Sequence, residues 1–251
     1  MPLSLLTVAG TSFERDSRRA SGRLLRQSGM DASYIDLADP THLEFAYLRW
    51  MRIVLRVAGA RRVLHVGGGA CALARALAAE DPDGHQLVCE IDASVLALAR
   101  EHLGLRPQPG LQVCHAEGRA SIASQADKSW DAVVIDAFID ATLPRWLITV
   151  EALGDAARVS PLTLINVADA HTGNELRAVA AGLAEVCPQV WSVGAPSGNI
   201  VLAGDAANVD TDRVATQAAA DTAPAWLTPP GAIARLIADT SPLRDRGARV
   251  V

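Results

Sequence analysis

The sequence predicts an α/β fold built on a doubly wound, mainly parallel sheet. Short apolar runs alternate with helix-period segments over about 140 residues. Several of those runs are apolar throughout, as strands buried on both faces of a parallel sheet are. A glycine run also stands where the first of them turns into a helix.

Taken in order, residues 63–66 form the first strand of the core, ended by Gly67, Gly68 and Gly69. Residues 70–79 read as a helix, with Leu73 and Leu77 four apart on one face. Asp81-Pro82-Asp83-Gly84 is a turn by composition. Residues 87–91 form the second strand. Asp92 or Ser94 caps a helix that runs to Leu103 with Val95, Leu96 and Ala99 on its inner face. Strands follow at 111–114 and 131–135, then a helix over 144–158 with Pro144 in its first turn. A strand at 162–167 and a helix at 175–186 come next. A final strand pair, 189–194 and 199–203, is joined by Ala195-Pro196-Ser197-Gly198.

The ends differ from this core. Residues 23–27 and 30–35 pair as a β-hairpin around Ser28-Gly29, and residues 41–57 form a helix leading into the sheet. Beyond residue 205 the pattern predicts helices at 211–220 and 232–238, separated by a proline-rich stretch, and a frayed end. The organisation expected is an N-terminal hairpin and lead-in helix (1–60), a nucleoside-binding core (61–205) and a helical tail (206–251).

Composition excludes several function classes. Half of the 251 residues are hydrophobic, so the chain is globular. The net charge of −5 gives no electrostatic reason to follow nucleic acid or an anionic membrane. Four cysteines show no CxxC spacing and the six histidines no HxxxH pair, so a metal is not expected. No apolar run is long enough to span a bilayer. Residues 1–10 are short for a secretory leader and lack a basic start, which leaves the cytoplasm as the expected compartment.

The chemistry concentrates at strand ends. Gly67, Gly68 and Gly69 let the backbone turn sharply and admit a ligand closely, although alone they also fit a plain tight turn. Glu90 ends the second strand, where a carboxylate can accept both hydroxyls of a ribose. A full dinucleotide fingerprint is weakened, because only its first two glycines fit. Glu117, beside Gly118, can accept an adenine amino group or serve as a solvated loop acid. Asp136 ends the buried fourth strand and faces the expected crevice, where it can orient an amine or take its proton; it can equally cap a helix. Asp140 lies nearby in sequence.

With these residues in hand, the chain resembles the spermidine synthase family, in particular its bacterial synthase-like members. The resemblance rests on Val63-Leu64-His65-Val66-Gly67-Gly68-Gly69, Glu90-Ile91-Asp92, Asp131-Ala132-Val133-Val134-Ile135-Asp136-Ala137-Phe138, and the stretches 33–40 and 143–151. It implies a Rossmann-like sheet of the S-adenosylmethionine-methyltransferase type with a small N-terminal β-element. It also implies transfer of an aminopropyl group from decarboxylated S-adenosylmethionine to an amine, and a homodimer. Carried over by position, Gly67, Gly68, Gly69, Glu90 and Ile91 bind the nucleoside, and Glu117 and Gly118 hold its base. Asp136 lines the amine site, and Asp140 is the nearest substitute for a second signature carboxylate.

Three positions depart from the family pattern. Ala70 stands where the resemblance places an Asp that helps hold the amines, Ile139 where it places the proton-accepting Asp, and Ala32 where a nucleoside-contacting Gln is common. A diamine is a dication, costly to bury without paired carboxylates. Two other functions therefore stay open: a methyltransferase using S-adenosylmethionine, and a non-catalytic nucleoside-binding protein that keeps the fold.

Overall fold

In the computed structural model, residues 6–8, 10–139, 142–168, 172–196 and 198–245 are described. Strand β5 (Arg62–Gly67) is the axis of the molecule. It pairs in parallel with β6 (His85–Glu90) on one side and β8 (Ala132–Asp136) on the other. Beyond β6 lies β7 (Leu111–His115), and beyond β8 lies β9 (Leu162–Val167), both parallel to their neighbours. Antiparallel β11 (Ile200–Asp205) and β10 (Gln189–Gly194) then extend the sheet. The chain thus winds outward in two directions from β5. A crevice opens beyond the carboxyl ends of β5 and β8, where the winding reverses.

Side chains on β5 alternate between two apolar layers, as a strand buried on both faces requires. Val63 packs with α1 (Ala46–Val57), α2 (Ala72–Glu80) and α3 (Ala93–His102). Leu64 and Val66 pack with α4 (Gly118–Ala123), α5 (Val150–Val159) and α6 (Asn174–Val186). His65 is buried in the first layer. Its Nε2 meets the Gln86 side-chain oxygen at 2.9 Å, and burial pushes its pKa down to about 4.

The small N-terminal β-element is a separate antiparallel sheet of β1 (Leu6–Val8), β2 (Thr11–Arg15), β3 (Gly22–Gln27) and β4 (Met30–Asp36). The hairpin of β3 and β4 turns at Ser28 and Gly29, both with positive φ, as a tight two-residue turn demands. The first two strands were not legible in the sequence. A Cβ on Gly69 would lie 3.2 Å from the Ser33 side chain, so β4 rests directly over the glycine turn.

Several boundaries differ from expectation, among them the start of α1 at Ala46 rather than 41, and some have a plain local reason. Helix α2 starts at Ala72 rather than Ala70, because Cys71 is left-handed with φ 65°. The helix expected over 144–158 is two pieces, a 3-10 turn (Arg145–Leu147) and α5. Thr149 separates them by capping α5, its hydroxyl accepting from the Ala152 N–H at 3.3 Å. The proline-rich stretch near the end adds an edge strand, β12 (Trp226–Thr228), paired with β10. Helix α7 (Thr211–Ala219) precedes it, and Arg49 and Trp50 of α1 fasten the link between the two. Arg49 Nε donates to Asp221 at 3.0 Å and the Trp50 indole to the Ala223 carbonyl at 3.0 Å.

Candidate active site

The crevice is a cavity of about 1220 Å³. Its floor is set by register: Gly67 and Asp136 are direct neighbours across the parallel β5–β8 pair. Gly67 has φ 77°, and a Cβ there would sit 2.5 Å from the Asp136 carbonyl oxygen. Only glycine fits. At Gly68 a Cβ would meet nothing within 4 Å, because that face of the turn looks into open space. A ligand can therefore approach the bare backbone.

Glu90 and this turn converge. The Glu90 side chain is buried, and its Oε1 accepts the Asp92 N–H at 2.9 Å. The nearby Gly69 and Ile91 backbone N–H groups also favour its ionised form. Burial raises its pKa, and these donors oppose the rise. A carboxylate has about four lone-pair positions, so the Asp92 N–H leaves room for ligand hydroxyls. Next to it Ile91 is 56% exposed on the cavity wall. Asp92 is committed elsewhere. It caps α3, accepting from the Ser94 N–H at 2.8 Å.

Glu117 lines the same cavity and also caps a helix. Its two oxygens accept the Arg119 N–H at 2.9 Å, the Ala120 N–H at 2.7 Å and the Trp146 indole N–H at 3.2 Å. Burial works against its ionisation, but these donors outweigh it and the pKa is lowered. Trp146 stands 44% exposed, its ring anchored at the cavity by that bond. Gly118 is a packing necessity, since a Cβ there would lie 2.2 Å from a Val66 methyl.

Asp136 ends β8 inside the cavity. Its Oδ1 accepts from Asn166 Nδ2 at 2.8 Å and its Oδ2 from the Tyr47 hydroxyl at 3.2 Å. Asn166 Oδ1 in turn accepts from Asn199 Nδ2 at 2.9 Å. Burial raises the pKa of Asp136, against those two donors. It also raises that of Tyr47 well above the usual phenol value, helped by the carboxylate beside it.

Gly67, Gly68, Gly69, Glu90, Ile91, Glu117, Gly118 and Asp136 thus all border one cavity. Asp140 lies outside the described residues. Of the departures, Ala70 is fully buried in the core, whereas Ala32 and Ile139 line the cavity. Tyr47, Asn166 and Asn199 were missed in the sequence. Asn166 left a signal, the one amide in a buried and mainly apolar strand, which needs a partner there. Among the described residues, no group of three or more His, Cys, Asp or Glu side chains is arranged to hold a metal ion. No described helix is long and apolar enough to cross a membrane.

No family model matches the chain, and no curated protein matches it. Solved structures do. A probable spermidine synthase from Corynebacterium glutamicum superposes with a TM-score of 0.88 and 24% identity, covering 99% of this chain and 98% of that one. A spermidine synthase in complex with the transition-state analogue AdoDATO gives a TM-score of 0.67 at 16% identity, over 84% of this chain and 75% of that one. Human methyltransferase-like protein 13, in complex with SAH, gives 0.55 at 20% identity, over 82% of this chain and 94% of that one. At these identities the likeness is one of fold. The chain has the fold of the spermidine synthases, a Rossmann-like sheet of the methyltransferase type carrying a small N-terminal β-sheet.

Proposed function

We propose that this protein is a spermidine synthase-like transferase that binds decarboxylated S-adenosylmethionine and passes its aminopropyl group to an amine. The observation that carries the reading is the convergence of Glu90 and the glycine turn on one cavity, with Asp136 on the strand beside Gly67. The residues present fit such a nucleoside. The side-chain-free face of Gly68 leaves space for it, and Glu90 keeps acceptor capacity for ribose hydroxyls. Ile91 and Trp146 offer apolar surface to a base, and Glu117 retains about one acceptor position for its amino group.

When bound, the nucleoside supplies a sulfonium-activated carbon and a neutral thioether leaving group. The protein's tasks are then alignment and deprotonation. Tyr47 and Asn166 hold the two oxygens of Asp136 in place. Asp136 accepts a proton from the acceptor's ammonium, freeing the nitrogen lone pair. That nitrogen attacks the activated carbon, the carbon–sulfur bond breaks, and its electron pair stays on sulfur. A raised pKa suits Asp136 to the role, because the proton acceptor must not be too weak a base. The fold neighbours named for spermidine synthesis and for AdoDATO support this reading over methyl transfer.

The test is a turnover assay with decarboxylated S-adenosylmethionine and a mixture of primary amines. Amine-dependent release of methylthioadenosine is expected, and Asp136→Asn should lower it by roughly 10²–10⁴-fold, the usual worth of a general base. Formation of S-adenosylhomocysteine from S-adenosylmethionine instead would replace aminopropyl by methyl transfer. No product from either donor would leave a binding protein.

A further inference from the structure

We infer that Trp146 sets the base preference of the nucleoside pocket: by holding Glu117 it selects a purine with an exocyclic amino group over one with an oxo group. The inference rests on the nucleoside site of the reading above. Glu117 is the N-cap of α4, and its two oxygens are engaged unequally. Oε1 accepts both the Arg119 N–H at 2.9 Å and the Trp146 indole N–H at 3.2 Å. Oε2 accepts the Ala120 N–H at 2.7 Å. A carboxylate has about four lone-pair positions, so Oε1 is filled and Oε2 keeps the free one. These donors favour the ionised form, and an ionised carboxylate can only accept. A 6-amino group presents a donor to it. A 6-oxo oxygen sets lone pairs against lone pairs and leaves the acid without a partner. Indole offers an N–H and no acceptor, so Trp146 cannot exchange roles with Oε1. Without that N–H the outward position on Oε1 opens, and the carboxylate is free to turn or to take up water there. Trp146 is thus a positioning residue that acts through Glu117.

Trp146 is itself braced for this task. Its 3-10 turn is anchored by buried Leu147, and Arg119 Nη1 donates to the Trp146 carbonyl at 3.3 Å. The same nitrogen donates to Asp245 Oδ1 at 2.9 Å, which ties the brace to the end of the described chain. Arg119 follows Gly118 on α4, so the helix that Glu117 caps also steadies the turn that bears Trp146. Ring and carboxylate form one unit. The ring nevertheless stays half-exposed on the cavity wall, as does Ile91. Large side chains left open in this way gain when a flat ligand covers them. Stacking on an aromatic ring is open to any base, because every base has a π-face. The ring therefore adds affinity without choice, and its N–H supplies the choice through Glu117.

The test is calorimetric titration of methylthioadenosine and of its 6-oxo counterpart, methylthioinosine, into the wild-type protein and Trp146→Phe. Phenylalanine keeps a ring at this half-exposed position and removes the indole N–H. The wild type should favour methylthioadenosine by on the order of 10–100-fold. Trp146→Phe should narrow that preference by about 3–10-fold, through weaker binding of methylthioadenosine, with methylthioinosine affected less. A general loosening of the pocket would weaken both nucleosides alike, so an unchanged preference in the variant would overturn the role of Trp146. A wild type that binds the two equally would overturn it as well. Either result would leave the nucleoside site and the transferase reading standing. Binding of neither nucleoside by the wild type would overturn that reading together with the inference.

Discussion

Asp136 illustrates how one residue acquires a chemical task from its position. Register places it beside Gly67, burial raises its pKa, and Tyr47 and Asn166 restrain the rise. It must be ionised to accept a proton, so kcat/KM should fall as the pH drops through its folded pKa. Tyr47→Phe removes one of the donors that favour the carboxylate, so the acidic limb should move to higher pH. A pH–rate profile of the two proteins checks this, and an unmoved limb would detach Tyr47 from Asp136. His65 makes the opposite kind of statement, about stability. Its folded pKa of about 4 lies below the ordinary 6.5, so between those values only the unfolded chain takes up its proton. Stability should therefore fall as the pH drops from 6.5 to 4, by up to about 3 kcal/mol. Glu90 and Asp136, with raised pKa values, act in the opposite sense as they gain protons. Urea unfolding of wild type and His65→Gln at pH 7 and pH 4 separates the two, because the stability difference between the proteins should shrink in acid. A difference that stays constant would contradict a neutral buried His65.

At the scale of elements, the sheet strands were legible because each carries its own signal, an apolar run bounded by turn residues. The β3–β4 hairpin was legible for the same reason, through Ser28-Gly29. Strands β1, β2 and β12 were not. They are short, and pairing with a neighbour rather than internal pattern makes them strands. The split between the 3-10 turn and α5 also escaped, because Thr149 caps a helix with a hydroxyl that an unbroken apolar pattern conceals. Of the site, the Gly67 turn, Glu90 and Asp136 could be read, since strand ends in a parallel sheet point at the ligand crevice. Tyr47 could not, because it reaches Asp136 only through the packing of α1 on the sheet. The junction of α4 with β5 offers a direct test of packing on the other face of the sheet. A Cβ at Gly118 would press on Val66 at 2.2 Å. Gly118→Ala should cost about 1–3 kcal/mol in urea unfolding, as overpacked cores do. A change below about 0.5 kcal/mol, ordinary for a surface substitution, would mean that α4 has room to shift.

For the whole molecule, the double winding from β5 fixes where a ligand can sit, and the N-terminal sheet closes over that place through β4. The site therefore draws on segments far apart in the chain, from Tyr47 to Asn199. The most direct test is calorimetric titration of methylthioadenosine into the wild-type protein and Glu90→Gln. One molecule should bind per chain, and the variant should bind about 10–100-fold more weakly, as loss of charge-assisted hydrogen bonds predicts. Absence of binding, or equal affinity in the two proteins, would contradict a nucleoside held between Glu90 and the glycine turn.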